Sequence, residues 1–94
     1  MSEHRAIQFH PKVNKDLDKL ENKQYRQVVD KILDLQRDCR PNDSRHMSGE
    51  PGVFRVDFGQ YRVTYMCNEV VYVRTVGPRD GDKVYDIDRR RSGR

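Results

Sequence analysis

Arginine is the residue type in this chain best placed to do chemistry. Of the ten basic side chains after residue 44, nine are arginine and one is lysine, whereas the first 44 residues mix the two. A guanidinium is planar, permanently charged and forked, so it suits phosphates and base edges better than the point charge of lysine. Other chemistries find little support. The six glycines do not fall at the spacing of a phosphate-binding or dinucleotide loop. His4, His10 and His46 are scattered, without acids or cysteines at ligand spacing, so neither a metal site nor a cofactor is expected. Neither Cys39 nor Cys67 has neighbours that would mark a nucleophile. The carboxylates mostly alternate with bases along helices and form no catalytic pair. Arginine, tyrosine and backbone remain. That set fits cleavage of RNA without a metal, in which the substrate 2′-oxygen attacks the adjacent phosphorus and the 5′-oxygen leaves. Such a reaction needs in-line positioning, stabilised charge on the phosphoryl oxygens and proton transfer at both ends. Tyrosine can hold a splayed nucleotide by stacking on its base.

The elements that would position these groups follow from the pattern. Residues 53–58 and 61–66 read as strands separated by Gly59-Gln60, the glycine-first form of a two-residue hairpin turn. That turn pairs Phe58 with Tyr61, Asp57 with Arg62, Val56 with Val63, Arg55 with Thr64 and Phe54 with Tyr65. Side chains alternate across a strand. Phe54, Val56, Phe58, Tyr61, Val63 and Tyr65 therefore share a core face, and Arg55, Asp57, Arg62 and Thr64 share the other. A slip of one residue would bury the charges. This polar face is either ordinary solvated surface, with Asp57 and Arg62 as a cross-strand ion pair, or a platform for an anionic substrate. A third run, 70–76, adds Arg74, which the pattern leaves without a fixed register.

The rest of the chain supplies the support. Residues 5–9 read as a strand with Ile7 and Phe9 on one face. Val13, Leu17 and Leu20 recur at helical spacing, and Tyr25, Val28, Val29, Ile32 and Leu35 mark an amphipathic second helix. Asn22 is the expected cap, and an end near Cys39 is expected before Pro41. Residues 40–52 read as a loop, and 83–91 as a terminal helix. Segregated helices beside an antiparallel meander predict an α+β domain: an N-terminal strand, a helical hairpin, three antiparallel strands and a short C-terminal helix, with one four-stranded, mostly antiparallel sheet. The 94 residues suffice for a single domain, 1–94. A formal charge of +4 is compatible with an anionic partner without demanding one. The N-terminus lacks the apolar run of a signal peptide and no stretch approaches a membrane span. A cytoplasmic protein is the expectation, with Cys39 and Cys67 as free thiols in preference to the alternative of a disulfide.

The segment from Met47 through Gly52, Arg55, Gly59 and Tyr61-Arg62-Val63-Thr64-Tyr65 resembles the RelE/ParE toxin superfamily. So does Val76-Gly77-Pro78-Arg79 followed by Val84-Tyr85, which is similar to the ending of the RelE branch. The resemblance spans nearly the whole chain. It implies the toxin of a type II toxin–antitoxin system, a metal-independent endoribonuclease (an mRNA interferase) that cuts messenger RNA in the ribosomal A site and stops translation. It implies a cognate antitoxin, with operator DNA bound only through the antitoxin complex. By position, Arg55 matches a residue contacting substrate phosphate and Arg62 one stabilising the transition state. Arg79 matches an arginine aiding charge stabilisation and leaving-group protonation, and Tyr85 a tyrosine stacking on the base. Asp57 departs from the pattern, standing where these toxins often carry a lysine proposed as general base. It is either the partner of Arg62 or itself the candidate general base. Lys12, Lys15, Lys19 and Lys23, with Arg89 and Arg90, are candidates for docking on ribosomal RNA, although the run from Arg89 to Arg91 reads equally as a solvated helix end. Two other functions stay open: a ParE-like inhibitor of DNA gyrase, against which Arg79 and Tyr85 speak, and a degenerate toxin acting with its antitoxin as an operon co-repressor, which Asp57 keeps open.

Overall fold

The computed structural model describes residues 4–47, 49–79, 87 and 89–91. Their order is β1 (Ala6–Phe9), α1 (Val13–Asp18), α2 (Asn22–Asp34), β2 (Ser44–His46), β3 (Val53–Phe58), β4 (Tyr61–Cys67) and β5 (Val70–Pro78). Five strands form one sheet in the order β1-β5-β4-β3-β2, parallel only between β1 and β5. The α+β class is as expected, and the sheet has one strand more. The additional strand, β2, lies within the stretch read as a loop. An edge strand needs a partner on one side only, so Ser44, Arg45 and His46 can pair with β3 without the apolar alternation that betrays an inner strand.

Every pair predicted across the β3–β4 hairpin is present, from Phe58 with Tyr61 to Phe54 with Tyr65. Gly59 takes φ +54°, and among the described residues none other than glycine has a positive φ, the combination a glycine-first turn requires. Val56, Val63 and Tyr65 are fully buried on one face, where α2 adds Val28 and Ile32, Leu35 follows at its end, and α1 adds Val13. Phe58 is half-buried against this cluster, and Tyr25 and Phe9, expected to face the core, are exposed. The Tyr65 hydroxyl donates to the Cys39 carbonyl at 2.7 Å, and burial pushes its pKa up to about 12.

Several boundaries differ from expectation. Glu21, not Asn22, is the N-terminal cap of α2, and its side chain makes no capping hydrogen bond. The helix ends at Asp34 and continues as turns to Arg37, well short of Pro41. Cys39 and Cys67, expected as free thiols, are joined in a disulfide with Cα atoms 5.9 Å apart. Their spacing in sequence carries no trace of the packing that brings the end of β4 under the α2–β2 connection. Of the terminal helix, Ile87 and Arg89 to Arg91 are helical, and the remainder of 83–91 lies outside the described residues.

β5 carries a bulge. Thr64 faces Thr75, and Tyr65 faces Val73, so Arg74 is an extra residue between them. This is why alternation alone gives Arg74 no side. It is buried, 4% exposed, and its Nη2 lies 3.6 Å from Glu50. Beyond the last β1 pair the edge of β5 is taken over by side chains. Asp16 of α1 accepts from the Val76 N–H at 3.1 Å and binds Arg91 at 2.7 and 3.1 Å, while Arg91 also donates to the Arg74 carbonyl at 2.7 Å. Arg91 is thus no part of a solvated helix end: both partners of this ion pair keep only 8% of their side-chain surface exposed.

Candidate active site

The hairpin places Arg55, Asp57 and Arg62 on the sheet face away from α1 and α2. β3 and β4 are held in register by the apolar pairs on the opposite face, so the position of each charge is set by the core beneath it. Asp57 and Arg62, directly opposite one another, form a bidentate pair. Arg62 Nε and Nη2 donate to the two carboxylate oxygens at 2.6 and 2.9 Å. Arg55 Nη1 reaches the same carboxylate at 3.5 Å. Arg62 is only 11% exposed at its side chain, against 29% for Arg55, so the first is clamped and the second offered to solvent. Gly77 of β5 stands next to Arg62 and contributes no side chain to this face.

Arg79 joins from the end of β5. Its backbone N–H donates to the Gln60 carbonyl at 2.9 Å, which ties the start of the C-terminal segment to the hairpin turn. The residue is exposed. The electrostatics record the convergence. The Arg62 hydrogen bond holds the Asp57 carboxyl below the usual carboxylate range against the opposing effect of partial burial, and the charges of Arg62, Arg55 and Arg79 act in the same direction. Arg62 and Arg55 bind the one acid and Arg79 adds its charge from the end of β5, leaving an excess of positive charge beside the turn.

Not every candidate joins this group. Tyr85 lies outside the described residues. Lys12, Lys15, Lys19 and Lys23 are exposed on the helical hairpin, which packs on the other side of the sheet. Arg89 and Arg90 are exposed. One basic residue on the face escapes the sequence reading. Arg45 on β2 is the direct partner of Arg55, and only the pairing of a polar edge strand reveals it.

The geometry defines a class of protein: a small α+β fold whose open sheet face gathers arginines around a hairpin turn. Residues 7–83 match the family described as ParE toxin of type II toxin-antitoxin system, parDE, and the chain belongs to that family within the RelE/ParE superfamily. Solved RelE structures share the fold. The archaeal RelE–RelB complex from Pyrococcus horikoshii OT3 contains a chain 25% identical, with a TM-score of 0.73 over 82% of this chain and 97% of that one. A doubly substituted E. coli RelE toxin in the free state, with two of its arginines replaced by alanine, is 22% identical, with a TM-score of 0.79 over 94% and 97%. The RelBE2 complex of Mycobacterium tuberculosis gives 24% identity and a TM-score of 0.73 over 84% and 95%. A comparison with curated protein sequences finds no match.

Proposed function

We propose that this toxin is a ribosome-dependent endoribonuclease that cleaves messenger RNA in the A site and so inhibits translation. The observation that carries this reading is the convergence of Arg55, Arg62 and Arg79 around Asp57 on one open face. The substrate 2′-oxygen loses its proton and bonds to phosphorus, the P–O5′ bond breaks, and the 5′-oxygen gains a proton. A 2′,3′-cyclic phosphate and a 5′-hydroxyl result. Arg62, fixed by Asp57, stabilises charge on the phosphoryl oxygens without reorganising when it develops. Arg55 and Arg79 hold the phosphate and share that charge, and Arg79 assists protonation of the leaving oxygen. Tyr85 stacks on the base.

Asp57 is assigned here to positioning. A carboxylate gripped by a bidentate arginine, with its pKa lowered, is a poor proton acceptor. The relatives solved as RelE–RelB complexes support a cognate antitoxin as partner. Contact with operator DNA only through that complex is part of the same proposal. Lys12, Lys15, Lys19, Lys23, Arg89 and Arg90 are proposed to dock on the ribosome, and charge reversal of the lysines should weaken ribosome binding.

A second reading, inhibition of DNA gyrase, is favoured by the match to the ParE family itself. Purified protein added to programmed ribosomes separates the readings. A-site cleavage supports the endoribonuclease. Inhibited supercoiling without cleavage would establish the gyrase inhibitor, and neither activity would leave a degenerate toxin acting as co-repressor.

A further inference from the structure

The arginine cluster occupies only one end of the open face. Two rows run on from it along the strands, the nearer sharing Arg55 with the cluster. The first holds Arg45, Arg55, Thr64 and Thr75, and the second Val53, Met66, Tyr72 and Gln8. Over the second row is a cavity of about 460 Å³, lined among the described residues by Glu50, Val53, Met66, Tyr72, Arg74 and Arg91 together with the glycine and proline flanking Glu50. That volume lies within the roughly 300–1,000 Å³ of small-ligand sites.

We propose that this cavity is a second nucleotide subsite, taking an unpaired nucleobase about two nucleotides from the scissile phosphate. It extends the endoribonuclease reading and rests on it. Met66 lies four residues along β4 from Arg62, a separation of roughly 13 Å at the rise of a strand. An extended single strand covers that distance in about two nucleotides. Between the two ends, Arg45 and Arg55 stand directly opposite one another. Arg55 is engaged by Asp57 at 3.5 Å and stays with the scissile phosphate, whereas Arg45 is exposed, with its Nη1 on the Ser44 and Asn42 carbonyls at 3.1 and 3.4 Å. Arg45 thus offers its charge to the intervening phosphate.

The far row offers a different chemistry. The two guanidinium groups that line the cavity are already charge-paired, Arg74 with Glu50 and Arg91 with Asp16, so the cavity is not a phosphate cradle. Tyr72 and Met66 are half-buried and side by side on the same face, presenting an aromatic ring and a polarisable thioether. Bases stack on such surfaces whatever their sequence. At the rim, Glu50 keeps 22% of its side chain exposed and can accept from base N–H donors. The phosphate and the base subsites thus follow one strand path across one sheet face.

Methyl NMR tests this directly, because the chain has three methionines and, among the described residues, Met66 is the one that lines the cavity. The full-length protein, labelled at the methionine methyl groups, is titrated with a tetranucleotide RNA bearing 2′-O-methyl groups, which cannot be cleaved, and with the corresponding dinucleotide. The tetranucleotide should shift the Met66 signal and the dinucleotide should not. Tyr72→Ala should weaken tetranucleotide binding about tenfold or more, Tyr72→Phe should restore it, and dinucleotide binding should be unchanged in both. An unmoved Met66 signal, absence of tetranucleotide binding, or equal effects of Tyr72→Ala on both lengths would overturn the subsite. Cleavage on ribosomes without a Met66 response would refute the subsite alone. A Met66 response without cleavage would refute the enzymatic reading and leave the nucleotide site standing.

Discussion

At the scale of single residues, Asp57 is the group on which the open face turns. Removing its charge leaves Arg62 without one of the two oxygens that accept its hydrogen bonds in full strength, and removes the negative charge that offsets Arg55, Arg62 and Arg79. Under the proposed endoribonuclease function, Asp57→Asn should therefore lower the cleavage rate about tenfold while the acid limb of the pH–rate profile stays in place, since positioning, not proton transfer, would be lost. Disappearance of that limb would restore Asp57 as the general base. Stability follows with a defined sign. The folded-state pKa is depressed below the ordinary 3.8 of an aspartate, so the contribution is fully present above that value and is lost as pH falls through the folded pKa. In denaturant unfolding, wild type should exceed Asp57→Asn in stability at pH 7, and the gap should close only in acid below pH 3.8. A gap that is constant with pH would contradict the ion pair as its source.

At the scale of elements, the hairpin shows what local sequence can specify. Gly59-Gln60 between two alternating runs determines the register, and the register alone brings Arg55, Asp57 and Arg62 to one face. Because Gly59 sits at φ +54°, a side chain there meets the left-handed penalty even though a Cβ would touch no neighbouring atom. Gly59→Ala should cost about 1 kcal/mol, and Gly59→Asn less, because asparagine tolerates that conformation. Thermal unfolding of both variants checks the order; an alanine variant as stable as wild type would mean that the turn is not strained. The less legible elements are those without such signals. β2 is polar and only three residues long, so nothing in Ser44-Arg45-His46 announces a strand, and Arg45 stays hidden with it. The Arg74 bulge breaks the period of two in mid-strand, which no alternation rule anticipates. Tyr25 repeats at helical spacing with the core residues yet is exposed, because periodicity marks a stripe and not how far the neighbouring layer covers it.

At the scale of the whole molecule, the buried ion pair of Asp16 and Arg91 joins residues 75 positions apart and is invisible to any local pattern. Asp16 looks in sequence like one more acid on a solvated helix, and Arg91 like one of three terminal arginines. Their union fills a specific vacancy. β1 stops at Phe9, β5 runs on to Pro78, and the exposed edge between them is completed by a carboxylate accepting from Val76 and a guanidinium donating to Arg74. The pair thereby anchors the described end of the C-terminal helix, while the Arg79–Gln60 hydrogen bond anchors the start of the segment that contains Tyr85. Breaking either partner should cost about 3–5 kcal/mol, because the other charge is left buried and uncompensated. Asp16→Ala should be the more damaging single change, since it also abandons the Val76 N–H, whereas Arg91→Met keeps much of the packing of the arginine stem. The double variant should be far less unstable than the sum of the two, with a coupling energy above about 1 kcal/mol in a double-mutant cycle. Strict additivity would show that the helix end is held by something other than this pair. If the anchor also serves the reaction, the Arg91→Met variant should lose cleavage rate at temperatures where its sheet is still fully folded, a separation that amide exchange of β3 and β4 measured alongside ribosome-programmed cleavage would reveal.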